Sequence, residues 1–217
     1  MFSFAEARAH MVESQVRTND VTDPQIQRSI GAVPRELFTP AGKKAVAYSD
    51  DNVRTDDGRW LMRPRDFAKL IQAADIEPTD IVLDIACGRG YSTCILAALA
   101  DTVVGLEDND AMVEKATQML AETGVMNAAV VKGELKVGAS AHGPFDVIFV
   151  NGAVSSVPKS WIEQLSGGGR LAVIESAGPI GKAKIYTKVG NAVGDRVVFD
   201  AAVPTLPGFE PKSEFVF

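Results

Sequence analysis

From residue 81 to residue 174, apolar runs of strand length alternate with segments of helical period, and this alternation leaves the chain few possible folds. Residues 81–86, 102–107, 128–132, 145–151 and 170–174 read as strands. Residues 91–99 and 161–165 read as helices, as does the stretch carrying Met112, Ala116, Met119 and Leu120. The strands are apolar along most of their length, the mark of strands buried on both faces of a parallel sheet. Ahead of them, Phe67, Leu70, Ile71 and Ala74 fall at i, i+3, i+4 and i+7 of a helix that opens at Pro64 and is broken near Pro78. Beyond Gly181 the period changes. Residues 185–189 and 196–199, with Gly190-Asn191 and Gly194-Asp195 between them, read as an antiparallel pair on the sheet edge.

Residues 3–18 are expected to be helical, Asp23-Pro24 caps a second short helix, and residues 34–63 show no sustained period. The expected fold class is α/β: a Rossmann-like doubly wound, mostly parallel sheet with an antiparallel C-terminal hairpin at the edge and an N-terminal helical extension. Residues 1–63 are expected to form the extension and a substrate-side loop, and residues 64–217 the ligand-binding domain, together one compact unit.

Composition removes several function classes. The net charge of -6 argues against a nucleic-acid partner, whose phosphates call for clustered Lys and Arg, and against an anionic membrane surface. No run of 18 uncharged apolar residues is present to span a bilayer, and the opening MFSFAEARAH lacks the apolar core of a signal peptide. Cys87 and Cys94 are the two cysteines and lack CxxC spacing, so no disulfide framework is expected and a cytoplasmic location is. His10 and His142 are the two histidines, far apart, and no metal site or histidine-based triad is expected.

In open sheets of this kind, ligands sit beyond the carboxyl ends of the strands. The first strand runs into Ala86-Cys87-Gly88-Arg89-Gly90, where Gly88 and Gly90 let a ligand approach the backbone. A dinucleotide fingerprint would place its third glycine at Thr93, so that fingerprint is incomplete. Asp84 lies four residues before Gly88, unfavourable for a pyrophosphate and favourable for a cationic amino group. Glu107 ends the second strand, where a carboxylate can accept both hydroxyls of a ribose, and Glu134 follows the third, within reach of an adenine amino group. Solvated strand ends would explain any one of these acids. The three together suit S-adenosylmethionine. The expected seat also includes Ala86, Cys87, Asp108, Leu135 and Asn151. Cys87 opens a helix, where a thiol pKa tends to fall, although a small residue lining the loop is the simpler reading.

At this point the chain resembles the protein-L-isoaspartate O-methyltransferase family. The resemblance rests on MVESQV, Asp23, the VPRELFTP run at 33–40, AYSD at 47–50, DIACGRGY, KGEL at 132–135, FDVIFVNGAVSSVP and LSGGGRLAVI. It is specific over residues 10–175 and thin beyond. It implies methyl transfer from S-adenosylmethionine to the carboxylate of isoaspartyl residues in damaged proteins or peptides, with S-adenosylhomocysteine as product.

One segment departs from the family, whose loop reads Gly-Gln-Thr-Ile-Ser, then Gln or Ala, then Pro. Here the aligned residues are Gly58, Arg59, Trp60, Leu61, Met62, Arg63 and Pro64, so Trp60 stands at the threonine position and Met62 at the active-site serine position. Arg59, Trp60, Leu61, Met62 and Arg63 are the expected substrate pocket, and no catalytic residue is assigned. The departure leaves three readings open: isoaspartyl methylation, methylation of an anionic or aromatic small molecule, and a cofactor-binding module without turnover. The bland reading of Arg54, Arg59, Arg63 and Arg65 is solvated pairing with Asp50, Asp51, Asp56 and Asp57.

Overall fold

A computed structural model describes residues 3–55 and 58–211. Helix α1 (Phe4–Met11) starts at a capping box in which Ser3 and Glu6 satisfy one another's backbone N–H groups. The sequence predicts one helix to residue 18. The α-helix instead ends at Met11 and continues as a π-helical turn, Val12–Val16, and a 3-10 turn, Arg17–Asn19. Asp20 stops it at φ 62°. Helix α2 (Pro24–Ala32) is capped by Asp23, with the proline at its first turn as expected. Residues 34–63 hold two 3-10 turns and a two-residue antiparallel pair, β1 (Val53–Arg54) with β2 (Trp60–Leu61).

Helix α3 (Pro64–Ala74) buries Phe67, Leu70, Ile71 and Ala74 along one stripe. The sheet then builds through β3 (Ile81–Ile85), α4 (Tyr91–Ala97), β4 (Thr102–Glu107), α5 (Asp110–Glu122) and β5 (Ala128–Lys132). It continues through β6 (Phe145–Val154), α6 (Lys159–Glu163), β7 (Leu165–Glu175), β8 (Gly181–Val189) and β9 (Ala192–Ala201). The seven strands lie in the order β5-β4-β3-β6-β7-β8-β9. The first five are parallel, and β8 and β9 add antiparallel. This is the expected Rossmann-like α/β fold. The terminal hairpin is longer than its sequence pattern, and Gly194-Asp195 lies inside β9, paired with Thr187 and Tyr186, rather than in a turn.

Strand alternation feeds two cores. Val82, Val147, Phe149, Ala172 and Ile174 pack on one face with Met11, Val16, Ile30, Phe38, Phe67, Ile71 and Ile95. The N-terminal extension therefore shares the sheet's own core. Leu83, Ile148, Val150, Leu171 and Val173 face the other way, onto Trp161, Leu206 and Phe209. The second core is closed by residues 203–209, docked on the end of β6 by Ala153 N–H to Pro204 O (3.0 Å) and Leu206 N–H to Ala153 O (2.8 Å).

Gly152 makes that docking possible. Its φ is +151°, and a Cβ there would lie 2.6 Å from Leu206 Cδ2 and Cγ. Gly152→Ala should cost about 1–3 kcal/mol through overpacking and backbone strain. Leu206→Ala alone should cost about 2–5 kcal/mol. In urea unfolding the double variant should lose less than the sum of the two, because the new methyl enters the space the leucine vacates. Strict additivity would show that the two groups do not meet.

Candidate functional site

The chain leaves β3 through residues 86–90 and enters α4 at Gly90. Ala86, Gly88 and Gly90 have φ of +57°, +60° and +89°. Glycine takes such values without strain at 88 and 90, while at Ala86 the left-handed conformation is held by the hydrogen bond of its own N–H. Ala86 N–H donates to Leu106 O (3.0 Å) and Gly90 N–H to Cys87 O (2.9 Å), which pins the turn. The loop lies where the strand order reverses, between β4 on one side of β3 and β6 on the other, and a crevice opens there.

Asp84 sits under this crevice, fully buried. Its carboxylate accepts from Ser92 Oγ (2.7 Å), Thr93 Oγ1 (2.7 Å) and Asn151 Nδ2 (2.5 Å). Burial pushes its pKa up from 3.8 to about 6, against the three hydrogen bonds. Ser92 and Asn151 are among the residues lining the crevice, and Asp84 is not, so its direct work is to hold that wall. The Cys87 thiol is also fully buried, and burial drives its pKa up rather than down. The expected helix-terminus effect is outweighed by burial and by the nearby carboxylates of Asp84 and Glu107.

Glu107, at the end of β4, is wholly enclosed. Gly88 N–H donates to its Oε1 (2.7 Å) and Asp108 N–H to its Oε2 (3.2 Å). The remaining acceptor capacity goes to Arg59. Arg59 Nε lies 3.0 Å from Oε1, and Nη2 lies 2.8 Å from Oε2 and 2.9 Å from Asp108 Oδ1. Burial lowers the arginine's pKa, and the two carboxylates more than offset it, for a net rise. The sequence suggests Asp50, Asp51, Asp56 and Asp57 as partners for the loop arginines; among the described residues Arg59, Arg63 and Arg65 take other acids. Arg63 and Arg65 both donate to the buried Asp66 (2.8 and 3.0 Å), while Arg59 reaches 48 residues along the chain. A buried carboxylate outcompetes solvated ones because its need for a counter-charge is greater. Asp56 and Asp57 lie outside the described residues.

Trp60 is half-buried, Leu61 and Met62 are buried, and all three line the crevice with Phe67 and Tyr91. Met62 O accepts from Arg35 Nη2 (2.8 Å), and that buried guanidinium also caps Ala47 O and lies 4.9 Å from the Tyr91 ring centroid. The structure thus brings Ala86, Cys87, Gly88, Gly90, Glu107, Asp108 and Asn151 together with the 59–62 loop. Glu134 and Leu135 lie one strand further on. The Glu134 side chain is exposed, and Leu135 belongs to the second core, where its carbonyl accepts from Trp161 Nε1 (2.8 Å). Sequence reasoning missed Ser92, Thr93 and Arg35. The two hydroxyls were visible in principle, since they lie in the first turn of α4, directly after the glycine loop, and face an acid eight or nine residues back. Among the described residues no cluster could hold a metal ion.

A family model for protein-L-isoaspartate(D-aspartate) O-methyltransferase (PCMT) matches residues 6–200. The chain belongs to that family. A PCMT relative, the protein-L-isoaspartate O-methyltransferase of Synechococcus sp. (strain JA-2-3B'a(2-13)), is 34% identical over 83% of this chain and 72% of its own. That of Protochlamydia amoebophila (strain UWE25) is 35% identical over 75% and 78%. In fold, the chain is similar to a solved protein-L-isoaspartate O-methyltransferase with a TM-score of 0.81 at 22% identity, covering 94% of this chain and 67% of that one. A second PCMT structure, from Plasmodium falciparum and in complex with S-adenosyl-L-homocysteine, gives 0.78 at 19% identity, covering 92% and 97%.

In this PCMT member, Asp84 carries a pH signature. Its raised pKa means that folding binds the proton more tightly, so its contribution is intact below pH 3.8 and is lost as pH rises through about 6. The loss amounts to roughly 3 kcal/mol at 1.36 kcal/mol per unit. In urea unfolding at pH 4, 5, 6 and 7, Asp84→Asn should gain on the wild type by about that amount as pH rises. A difference independent of pH would show that Asp84 is already ionised at pH 4.

Proposed function

We propose that this chain is an S-adenosylmethionine-dependent O-methyltransferase that esterifies the carboxylate of isoaspartyl residues in damaged proteins and peptides, releasing S-adenosylhomocysteine. The observation that carries the reading is the family match over residues 6–200, joined to a glycine loop and a strand-end carboxylate at the switch point of the sheet. The donor set suits the cofactor. Glu107 is a diol acceptor, Gly88 and Gly90 leave the backbone bare, and Ser92 and Asn151 offer a hydroxyl and an amide at the wall, with Asp84 behind them.

When bound, S-adenosylmethionine supplies a methyl group on a sulfonium, a leaving group that needs no proton. The acceptor, with a pKa near 3.9, is already a carboxylate at neutral pH, so the chain needs no general base. Its own residues position and enclose. Trp60, Leu61, Met62, Phe67 and Tyr91 form an apolar wall that excludes water, and Arg35 fixes that wall by holding the Met62 carbonyl. Positioning of this kind accounts for about 7–11 kcal/mol of barrier. At the two family hydroxyl positions Met62 offers no donor, and Trp60 offers its indole N–H. The small-anion reading loses support because Arg63 and Arg65 are committed to Asp66. Among the described residues no helix is long and apolar enough to cross a membrane. Both cysteines are buried free thiols, which supports a cytoplasmic location.

Incubation with methyl-labelled cofactor and an isoaspartyl peptide should yield base-labile methyl ester, and its absence at high enzyme concentration would overturn the reading. Met62→Ser should raise turnover, on the scale of about 10²–10³ that a recovered donor contributes. It should also cost about 2–5 kcal/mol of stability, since it empties a buried site. No gain from Met62→Ser in protein verified as folded would mean that the serine position does not limit the rate here.

A further inference from the structure

Building on the methyltransferase reading, we propose that Arg59 is an internal competitor for the cofactor. Its side chain lies on the carboxylate that would accept the ribose, and the seat opens only when Arg59 and the 58–60 end of the loop lift away.

Acceptor capacity is the first ground. A carboxylate has about four lone-pair sites. Two on Glu107 are taken by the backbone N–H groups of Gly88 and Asp108, which belong to the seat itself. The other two receive the Arg59 fork. A vicinal diol would present two donors to the same two sites, so the guanidinium and the ribose exclude one another.

Space is the second ground. A Cβ built on Gly88 would lie 3.7 Å from Arg59 Cβ and 4.0 Å from its Cγ, so the arginine stem lies on the bare backbone that a ligand would approach. With the loop in this position the crevice keeps about 10 Å³ of free volume. Ligand pockets for molecules of this size hold about 300–1,000 Å³. Arg59 itself is only 3% exposed.

The third ground is how the 58–60 end of the loop is held, since Leu61 and Met62 stay anchored in the core and by Arg35. That end is held by two residue pairs, Val53 with Leu61 and Arg54 with Trp60, and by Thr55 N–H to Arg59 O (2.9 Å). Two-stranded ladders of this length are marginal by themselves. Among the described residues the Arg59 fork is therefore the main clasp at this end, and lifting it releases both carboxylates to water or to a new partner rather than stranding them.

Titration calorimetry with S-adenosylhomocysteine tests the proposal without turnover. Arg59→Gln should bind at least tenfold more tightly than the wild type, because the closed population that taxes the apparent affinity disappears. Arg59→Lys keeps a cation and loses the fork, and should fall between them. If Arg59→Gln proves unfolded because Glu107 has lost its counter-charge, Arg59→Lys alone decides, with at least a threefold gain expected. Equal or weaker binding by the folded variants overturns the proposal, as does failure of every protein to bind. Failure of the methyltransferase reading would look different: a variant that binds S-adenosylhomocysteine tightly yet forms no ester on isoaspartyl peptide.

Discussion

Glu107 is a carboxylate placed where no water can reach it, and much of the local architecture follows from that. Two backbone N–H groups are built around it by the left-handed turn at Gly88 and by the end of β4. They satisfy hydrogen bonds but bring no countercharge, and a buried ion left unpaired costs several kcal/mol. Arg59 supplies the charge, which fixes where the 58–62 loop lies and hence where Trp60 and Met62 point. Arg35 presents the complementary case. It is a buried cation whose Nη1 makes no hydrogen bond, stabilised by the Ala47 and Met62 carbonyls and the Tyr91 ring. One guanidinium clasps the front of the loop to the sheet, and another clasps its back to the N-terminal extension.

The fold was legible where apolar runs have polar ends. β4, buried along its length, and β5, a half-exposed edge strand, match their runs residue for residue because the sequence turns polar at both ends of each. β9 was only partly legible. Its residues are mostly exposed, as on an edge strand, so no alternation marks it, and Gly194-Asp195 looks like a turn although the ladder continues through it. β7 begins at Leu165, five residues ahead of its apolar run, because that leading part carries the glycines 167–169 rather than core residues. The break at Met11 had no signal in the local period, since the residues that follow are still helix formers.

For the candidate site the division is sharper. Position along the chain was enough to bring the glycine loop, Glu107 and Asn151 to one crevice, since strand ends in a parallel sheet converge by topology. Charge pairing was not legible. The expected partners of the loop arginines are Asp50, Asp51, Asp56 and Asp57, yet among the described residues Arg63 and Arg65 pair with Asp66, and Arg59 with the distant Glu107 and Asp108. Desolvation decides the outcome, and desolvation is a property of the folded crevice rather than of any short segment. The same holds for Cys87 and Asp84, whose pKa values rise because of what surrounds them and not because of where they stand in a motif.

The two acids of the crevice also bear on how a closed seat is compatible with an active enzyme. Asp84 is met by three neutral donors, while Glu107 and Asp108 share one cation, so Arg59 supplies the single positive charge set against the carboxylates of the closed crevice. S-adenosylmethionine carries a sulfonium, an ammonium and a carboxylate, for a net charge of +1. On the competitor proposal, its exchange for Arg59 leaves the charge of the crevice unchanged, and only the hydrogen-bond donors on Glu107 are swapped. S-adenosylhomocysteine has lost the sulfonium and is neutral overall. Once the methyl group has left, the crevice is one positive charge short, and Arg59 is the group on the adjoining loop that restores it. A clasp that slows entry of the cofactor then favours departure of the product, because at short range in a low-dielectric site one unit of charge outweighs a pair of neutral hydrogen bonds.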